Sequence, residues 1–181
     1  MSLFPKPYAD RVARLRVTTG FVLVAAFAWL SKPDLLSLLY GLPVSIIGLL
    51  LRAWATGHLE KNIRLAESGP YAYVRNPLYV GTLLVAAGLV AATRRWILAT
   101  LFAAMFLLIY LPVVELEEQH LAKLFPNFRA YADRVPAFWP SLTGRQTEQR
   151  FRWSLYVKNR EYQALLGFLL GEAFLLAKVL L

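Results

Sequence analysis

Residues 69–114 read GPYAYVRNPLYVGTLLVAAGLVAATRRWILATLFAAMFLLIYLPVV, and the two apolar blocks within them decide the fold class. The blocks at 78–92 and 96–114 are continuous, without the polar stripe of a soluble helix or the alternation of a strand. In lipid, only helices and closed barrels satisfy their own backbone polar groups, and runs this long and unalternating suit helices. Working outward, three more apolar runs follow: 17–30, 35–55 (interrupted by Pro43, with Arg52 near its end) and 162–181 (weakened by Glu172). Several fall short of the roughly 20 residues a perpendicular crossing needs, so flanking cations such as Arg14, Arg16 and Lys32 are expected to snorkel. With 58% hydrophobic and 17% charged residues, the composition suits a bilayer better than water. The expectation is an all-α polytopic membrane bundle of about five transmembrane helices, one domain over 1–181.

The cations give an orientation. With the N-terminus in the cytoplasm and five crossings, 16 of the 20 Lys and Arg fall inside, against Lys32, Arg94, Arg95 and Lys178 outside. Arg94-Arg95-Trp96 is the one local violation. The net charge of +9 is then explained by topology and anionic lipid and requires no nucleic acid. Without cysteine there is no disulfide or thiolate chemistry, and two histidines, His58 and His120, exclude a histidine-rich metal centre. The first sixteen residues lack the apolar core of a signal peptide; Pro5, Pro7 and Tyr8 read as an interfacial arm.

Between the second and third runs, 69–81 (GPYAYVRNPLYVG) concentrates three tyrosines, an arginine, an asparagine and two prolines. Asn76 and Gly69 each precede proline and are expected in extended or turn backbone, with a helix starting near Pro77. Aromatic faces and hydrogen-bonding groups at a helix start suit a polar or cationic ligand on the cytoplasmic side; an interfacial aromatic belt with a positive-inside arginine is the bland alternative. Downstream, 113–138 reads VVELEEQHLAKLFPNFRAYADRVPAF. As a helix continuing the fourth span, it places Val114, Glu117, Glu118, Leu121, Leu124 and Phe125 on one face. Carboxylates on such a stripe must be paired, with Arg52, Arg75 or Arg134, or must face a ligand. After Pro126, the pattern Phe128, Tyr131, Ala132, Val135 reads as a short interfacial helix ending at Pro136. The polar segment 141–149 reads as a surface loop.

The two blocks together, GPYAYVRNPLYVG followed by Glu117-Glu118-Gln119-His120-Leu121, Phe125, Phe128, Tyr131, Arg134-Val135-Pro136, Phe138 and Pro140, resemble the isoprenylcysteine carboxyl methyltransferase / phospholipid methyltransferase family. The resemblance covers roughly 58–140. It implies an integral membrane enzyme that binds S-adenosylmethionine from the cytoplasmic side and methylates a lipid-borne or lipophilic acceptor. Carried over residue by residue, cofactor contacts fall on Tyr71, Asn76, Pro77, Leu78, Tyr79 and Glu117. Less directly they fall on the strip Ile63, Arg64, Leu65, Ala66 and on His58. Three positions depart from the prenylcysteine enzymes: Asn76 and Ile63 stand where histidine is common. Val113 stands where an arginine would hold a substrate carboxylate, which counts against prenylcysteine.

The expected reaction is an in-line displacement in which the protein aligns the reactants and excludes water. Arg75 would pair a ligand carboxylate or brace the glutamates. An amine acceptor would need a base, for which Glu115, Glu118, His58 and His120 are candidates. Gaps beside the small-residue third helix are expected to admit the acceptor from lipid. Two rivals remain at this stage. One is a nicotinamide-dependent reductase like the much longer sterol reductases; the other is a non-catalytic lipid-binding scaffold. Oligomeric state stays open, since Gly81 and Gly88 suit packing within the chain as well as association.

Overall fold

The computed structural model describes residues 4–141 and 149–181; the other residues, including most of the segment read as a surface loop, lie outside it. The described chain is helical, in the order α1 (Lys6–Leu30), α2 (Leu35–Thr56), a 3-10 turn (Gly69–Ala72), α3 (Pro77–Thr93), α4 (Trp96–Met105), a π-helical segment (Phe106–Tyr110), α5 (Leu111–Leu124), α6 (Phe128–Arg134), α7 (Trp153–Lys158) and α8 (Tyr162–Leu180). Four helical stretches are long and apolar enough to cross a membrane: α1, α2, the continuous run Trp96–Leu124, and α8. The shorter α3 is the fifth apolar helix.

One expected boundary moves and one continuation holds. The first helix begins at Lys6, eleven residues before the apolar run, so Pro5, Pro7 and Tyr8 start α1 rather than form a separate arm. Proline is tolerated in a first turn, whose amide protons lack helical partners anyway. The fourth span runs past Val114 to Leu124, as the expected continuation through Glu117 and Glu118 requires. Pro112 marks the join. It has no N–H to offer the carbonyl of Leu108, four residues earlier, and the backbone widens into the π-helical segment just before it. The Leu108 carbonyl instead accepts from the Tyr8 hydroxyl at 2.6 Å, which ties α1 to this helix.

The closest helix pair is α2 against α3. Gly41 and Gly48 face Gly88 and Gly81 across it: a Cβ at Gly41 would lie 2.4 Å from the Gly88 carbonyl oxygen, and one at Gly48 2.6 Å from that of Gly81. Such contact lets polar groups bond across the seam. Ser45 Oγ donates to Val85 O (3.0 Å) and Ser37 Oγ to Ala92 O (2.8 Å). Gly81 and Gly88 are therefore spent within the chain. The gap expected beside the small face of the third helix is filled by α2.

At one end of the bundle Asp34 caps α2 through the Ser37 amide, and this bond holds its carboxyl below the usual range. Asp34 also pairs with Arg94, which neutralises part of the charge that stood out in the sequence. Lys178 Nζ donates to the Ala28 and Ser31 carbonyls, both at 2.9 Å, and closes the end of α1. At the other end Phe128 and Tyr131 of α6, with Val135 just after it, pack on Leu65, and Leu121 of α5 and Phe125 just after that helix lie beside them. The apolar face of α6 packs on protein where lipid was expected.

Candidate functional site

The motif 69–81 and the glutamates of α5 meet at the α6 end of the bundle. Arg75 and Glu118 form a two-pronged ion pair, Nε to Oε1 at 3.0 Å and Nη2 to Oε2 at 3.2 Å. The remaining guanidinium nitrogen, Nη1, donates to the carbonyls of Ala132 (2.6 Å) and Val135 (3.1 Å). Asn76 Nδ2 donates to Glu118 Oε1 at 2.8 Å. Backbone bonds from Arg75 N to Pro136 O (2.9 Å) and from Asn76 N to Ala137 O (3.2 Å) lace the same strip to 136–137. Pro77 explains the local geometry. It keeps Asn76 out of helical backbone (φ −118°, ψ 55°) and lets α3 start one residue later.

Glu118 is thus held by three donors and works as a brace. Arg75 and Glu118 are only 16% and 23% exposed, so this carboxylate is engaged within the cluster. Glu117, one residue earlier, is exposed and is held by the Tyr79 hydroxyl at 3.0 Å. The two carboxylates expected on one stripe therefore separate into an inward structural group and an outward one. Glu115 does not join them; its Oε2 accepts from the Phe4 amide at 3.3 Å, facing the start of α1. His120 is exposed and on no part of the cluster.

Other expected contacts sort by burial. Tyr71 is 6% exposed, its hydroxyl pushed well above its usual range by burial, and its carbonyl accepts from the Tyr131 hydroxyl at 2.8 Å. It packs the site and offers no open face. The Tyr79 ring meets Tyr110 edge-on, and Phe106 meets Phe138 likewise, which makes an aromatic wall beside Glu117. Pro77 is buried, and the Leu78 carbonyl accepts from Arg52 (3.3 Å) and Thr82 (2.8 Å). Ile63, Arg64 and Leu65 line an open cleft of about 330 Å³ with Glu67, Phe125, Asn127 and Gln149, while Ala66 is not part of its wall. Phe125 follows the last residue of α5, about two turns beyond Glu117, so the cleft adjoins the helix that carries the cluster.

His58 is buried against Gly69, where a Cβ would lie 2.7 Å from Nε2. Gly69 also takes φ +58°, so glycine is required there twice over. Ser68 Oγ donates to Gln149 Oε1 at 3.0 Å and so accepts from His58 Nδ1 at 2.9 Å, which fixes the proton of the neutral ring on Nδ1. Burial holds the imidazole below its usual range.

One polar centre was missed in the sequence. Arg52 clamps Glu161 at 2.6 and 3.0 Å and donates to Thr82, at the same end of the bundle. The available signal was an arginine ending one span and a glutamate opening another, at matching depth in antiparallel helices.

A sequence profile described as phospholipid methyltransferase matches residues 36–127, half the chain and all of the α2–α5 framework that carries the cluster. The chain belongs to the phospholipid methyltransferase family. Within curated proteins it is 35% identical over 160 residues to the cobalt-zinc-cadmium resistance protein CzcN of Cupriavidus metallidurans, covering 82% of this chain and 71% of that protein. It is 32% identical over 151 residues to the nickel-cobalt-cadmium resistance protein NccN of Alcaligenes xylosoxydans xylosoxydans, covering 78% and 70%. No solved structure matches. In this phospholipid methyltransferase domain, then, the matched segment ends at the last residues of the α5–α6 turn, and α6 to α8 complete the enclosure from outside it.

Proposed function

We propose that the protein is an integral membrane enzyme that transfers a methyl group from S-adenosylmethionine to a lipophilic or lipid-borne acceptor, with its site at the cytoplasmic surface. One observation carries this reading. A carboxylate, Glu117, stands exposed beside an aromatic wall and bonded to the Tyr79 hydroxyl, while Arg75 of the same motif is already paired with Glu118.

The residues present fit the cofactor's chemistry. A carboxylate has about four acceptor positions, and Tyr79 uses one, so Glu117 can still receive an ammonium or ribose hydroxyls. The cleft along Ile63, Arg64 and Leu65 offers apolar, cationic and amide walls for a ring bearing polar edges. S-adenosylmethionine would supply a methyl group on a positively charged sulfur. The chain's own part is to align and to exclude water. Tyr79 fixes Glu117, the Arg75–Glu118–Asn76 network fixes the start of α3 against α5, and the aromatics keep the reacting region dry. Among the expected bases, Glu118 is engaged and Glu115 points to α1; an acceptor that needs no base, or one served by Glu117, fits best. The metal resistance named for the two relatives would then act through a methylated membrane component.

Calorimetric titration of the purified protein in detergent with S-adenosylhomocysteine, beside NADPH, tests the reading. Saturable binding of S-adenosylhomocysteine alone is expected. NADPH binding alone would move the activity to a reductase, and no binding of either would leave a scaffold.

A further inference from the structure

Residues 149–152 lie across the loop that leaves α2 and are anchored to it. Arg152 N donates to Gly57 O at 3.0 Å, and the Arg152 guanidinium pairs with Glu60. The Phe151 ring fills the space where a side chain at Gly57 would stand, and meets the His58 ring edge-on. These anchors bring Gln149 to the wall of the 330 Å³ cleft, opposite no residue of its own segment. The family profile ends at residue 127, so this part of the wall comes from outside the matched segment.

Two buried polar side chains, His58 and Ser68, hold Gln149 in one direction. His58 Nδ1 donates to Ser68 Oγ at 2.9 Å, and the Ser68 hydroxyl donates to Gln149 Oε1 at 3.0 Å. The chain of donors ends on the amide oxygen and leaves both N–H groups of Gln149 for what enters the cleft. Turning the amide over would require Ser68 to reverse its hydroxyl and His58 to move its proton to the other ring nitrogen, all inside the protein. The opposite polarity stands next to Ser68 in the chain. Glu67, also on the cleft wall, accepts from Asn127 Nδ2 at 3.0 Å and lies 3.6 Å from Arg134 Nη2. Two such contacts leave acceptor positions free on a carboxylate. Ile63, Leu65 and Phe125 supply the apolar part of the wall.

We propose that Gln149 determines which ring the cleft accepts. Its N–H donates to a ring nitrogen of a planar heteroaromatic ligand whose neighbouring amino group donates to Glu67, and His58 and Ser68 are positioning residues that fix the amide's direction. An aminopurine edge has this order of acceptor and donor. A purine with oxygen in place of the amino group carries a proton on the neighbouring nitrogen. It would set its oxygen against the Glu67 carboxylate and its N–H against the amide N–H, so both bonds would be lost. The identity of the ring, the adenine of S-adenosylmethionine, rests on the methyltransferase reading; the direction of the amide does not.

The full chain in detergent is titrated with S-adenosylhomocysteine and its deaminated analogue S-inosylhomocysteine, and separately with adenosine and inosine. Wild type is expected to favour the amino form of each pair by on the order of tenfold or more. Gln149→Leu should lose most of that preference, with the loss falling on the amino ligand. Gln149→Glu keeps the Ser68 bond but turns an acceptor toward the cleft, and should cancel the preference; it also serves if Gln149→Leu does not fold. Ser68→Ala frees the amide to turn over and should weaken the preference. Arg152→Gln removes the ion pair to Glu60 and leaves the amide bonded, so its preference should match wild type even if its melting temperature falls. Equal binding of the two forms by wild type overturns the proposal. So does a Gln149→Leu variant that melts lower yet keeps the preference, which would make Gln149 structural only. Loss of preference in Arg152→Gln equal to that in Gln149→Leu would credit the position of the segment rather than the amide, and overturns it too. Failure to bind S-adenosylhomocysteine beside a Gln149-dependent preference for adenosine would sink the methyltransferase reading and leave the ring site standing.

Discussion

Arg75 and Glu117 are each one substitution away from very different outcomes. Arg75→Ala leaves Glu118 partly buried without its ion pair and strips two carbonyls of their donor, a change that costs about 3–5 kcal/mol in comparable sites. A large drop in melting temperature in detergent is expected, with Arg75→Lys recovering only part because it cannot bond four groups in one plane. Glu117→Gln removes an exposed charge and should leave the melting temperature within a degree or two, yet lower S-adenosylhomocysteine affinity on the order of tenfold or more. Unchanged affinity would place the pocket elsewhere. His58 contributes through pH. The folded chain holds its imidazole neutral, whereas the unfolded chain takes up a proton near pH 6.5. Stability is therefore full above that pH and declines as pH falls below it toward the lowered folded value. Melting followed from pH 8 to pH 5.5 should show this decline, and His58→Gln should flatten it.

Helix pairing tells where the small residues matter. A methyl group at Gly48 would meet backbone atoms of α3, the Gly81 oxygen and the Val85 nitrogen, both at 2.6 Å. Backbone cannot give way as a side-chain tip can, so Gly48→Ala should force α2 and α3 apart and lower stability by about 1–3 kcal/mol. Gly167 has nothing within 4 Å of such a methyl, and Gly167→Ala should be neutral or gain about 1 kcal/mol from helix propensity. Thermal unfolding of the two variants side by side is the check; equal effects would mean that the seam is not close-packed. The sequence pointed to Gly81 and Gly88 but not to Gly41 and Gly48, because a glycine in an apolar run carries no mark of which neighbour it meets.

Across the whole molecule, the run Trp96–Leu124 of 29 residues is about 44 Å long, more than the roughly 30 Å of a hydrocarbon core. Its Glu117–Leu124 end must therefore stand in the headgroup zone with α6. On the orientation proposed from the distribution of cations, that end lies in the cytoplasm. Because the chain has no cysteine, single cysteines report its sidedness cleanly. In sealed right-side-out vesicles, His120→Cys should be protected from an impermeant maleimide and Lys32→Cys should react; the reverse pattern would invert the topology.

How much was legible follows from the range of each interaction. Apolar runs, prolines and the aromatic-cationic motif act within a few residues, so the helical class, the helix start at Pro77 and the continuation of the fourth span through Glu117 and Glu118 could be read in order along the chain. Burial and pairing depend on what arrives from elsewhere. Only the folded chain decided that Arg75 takes Glu118 and frees Glu117, that Arg52 takes Glu161, and that Tyr71 is packed while Tyr79 is presented. Only there does Tyr8 satisfy the carbonyl that Pro112 leaves bare. A residue's chemistry is fixed by its type; its availability is fixed by which distant groups have already claimed its charges and hydrogen bonds.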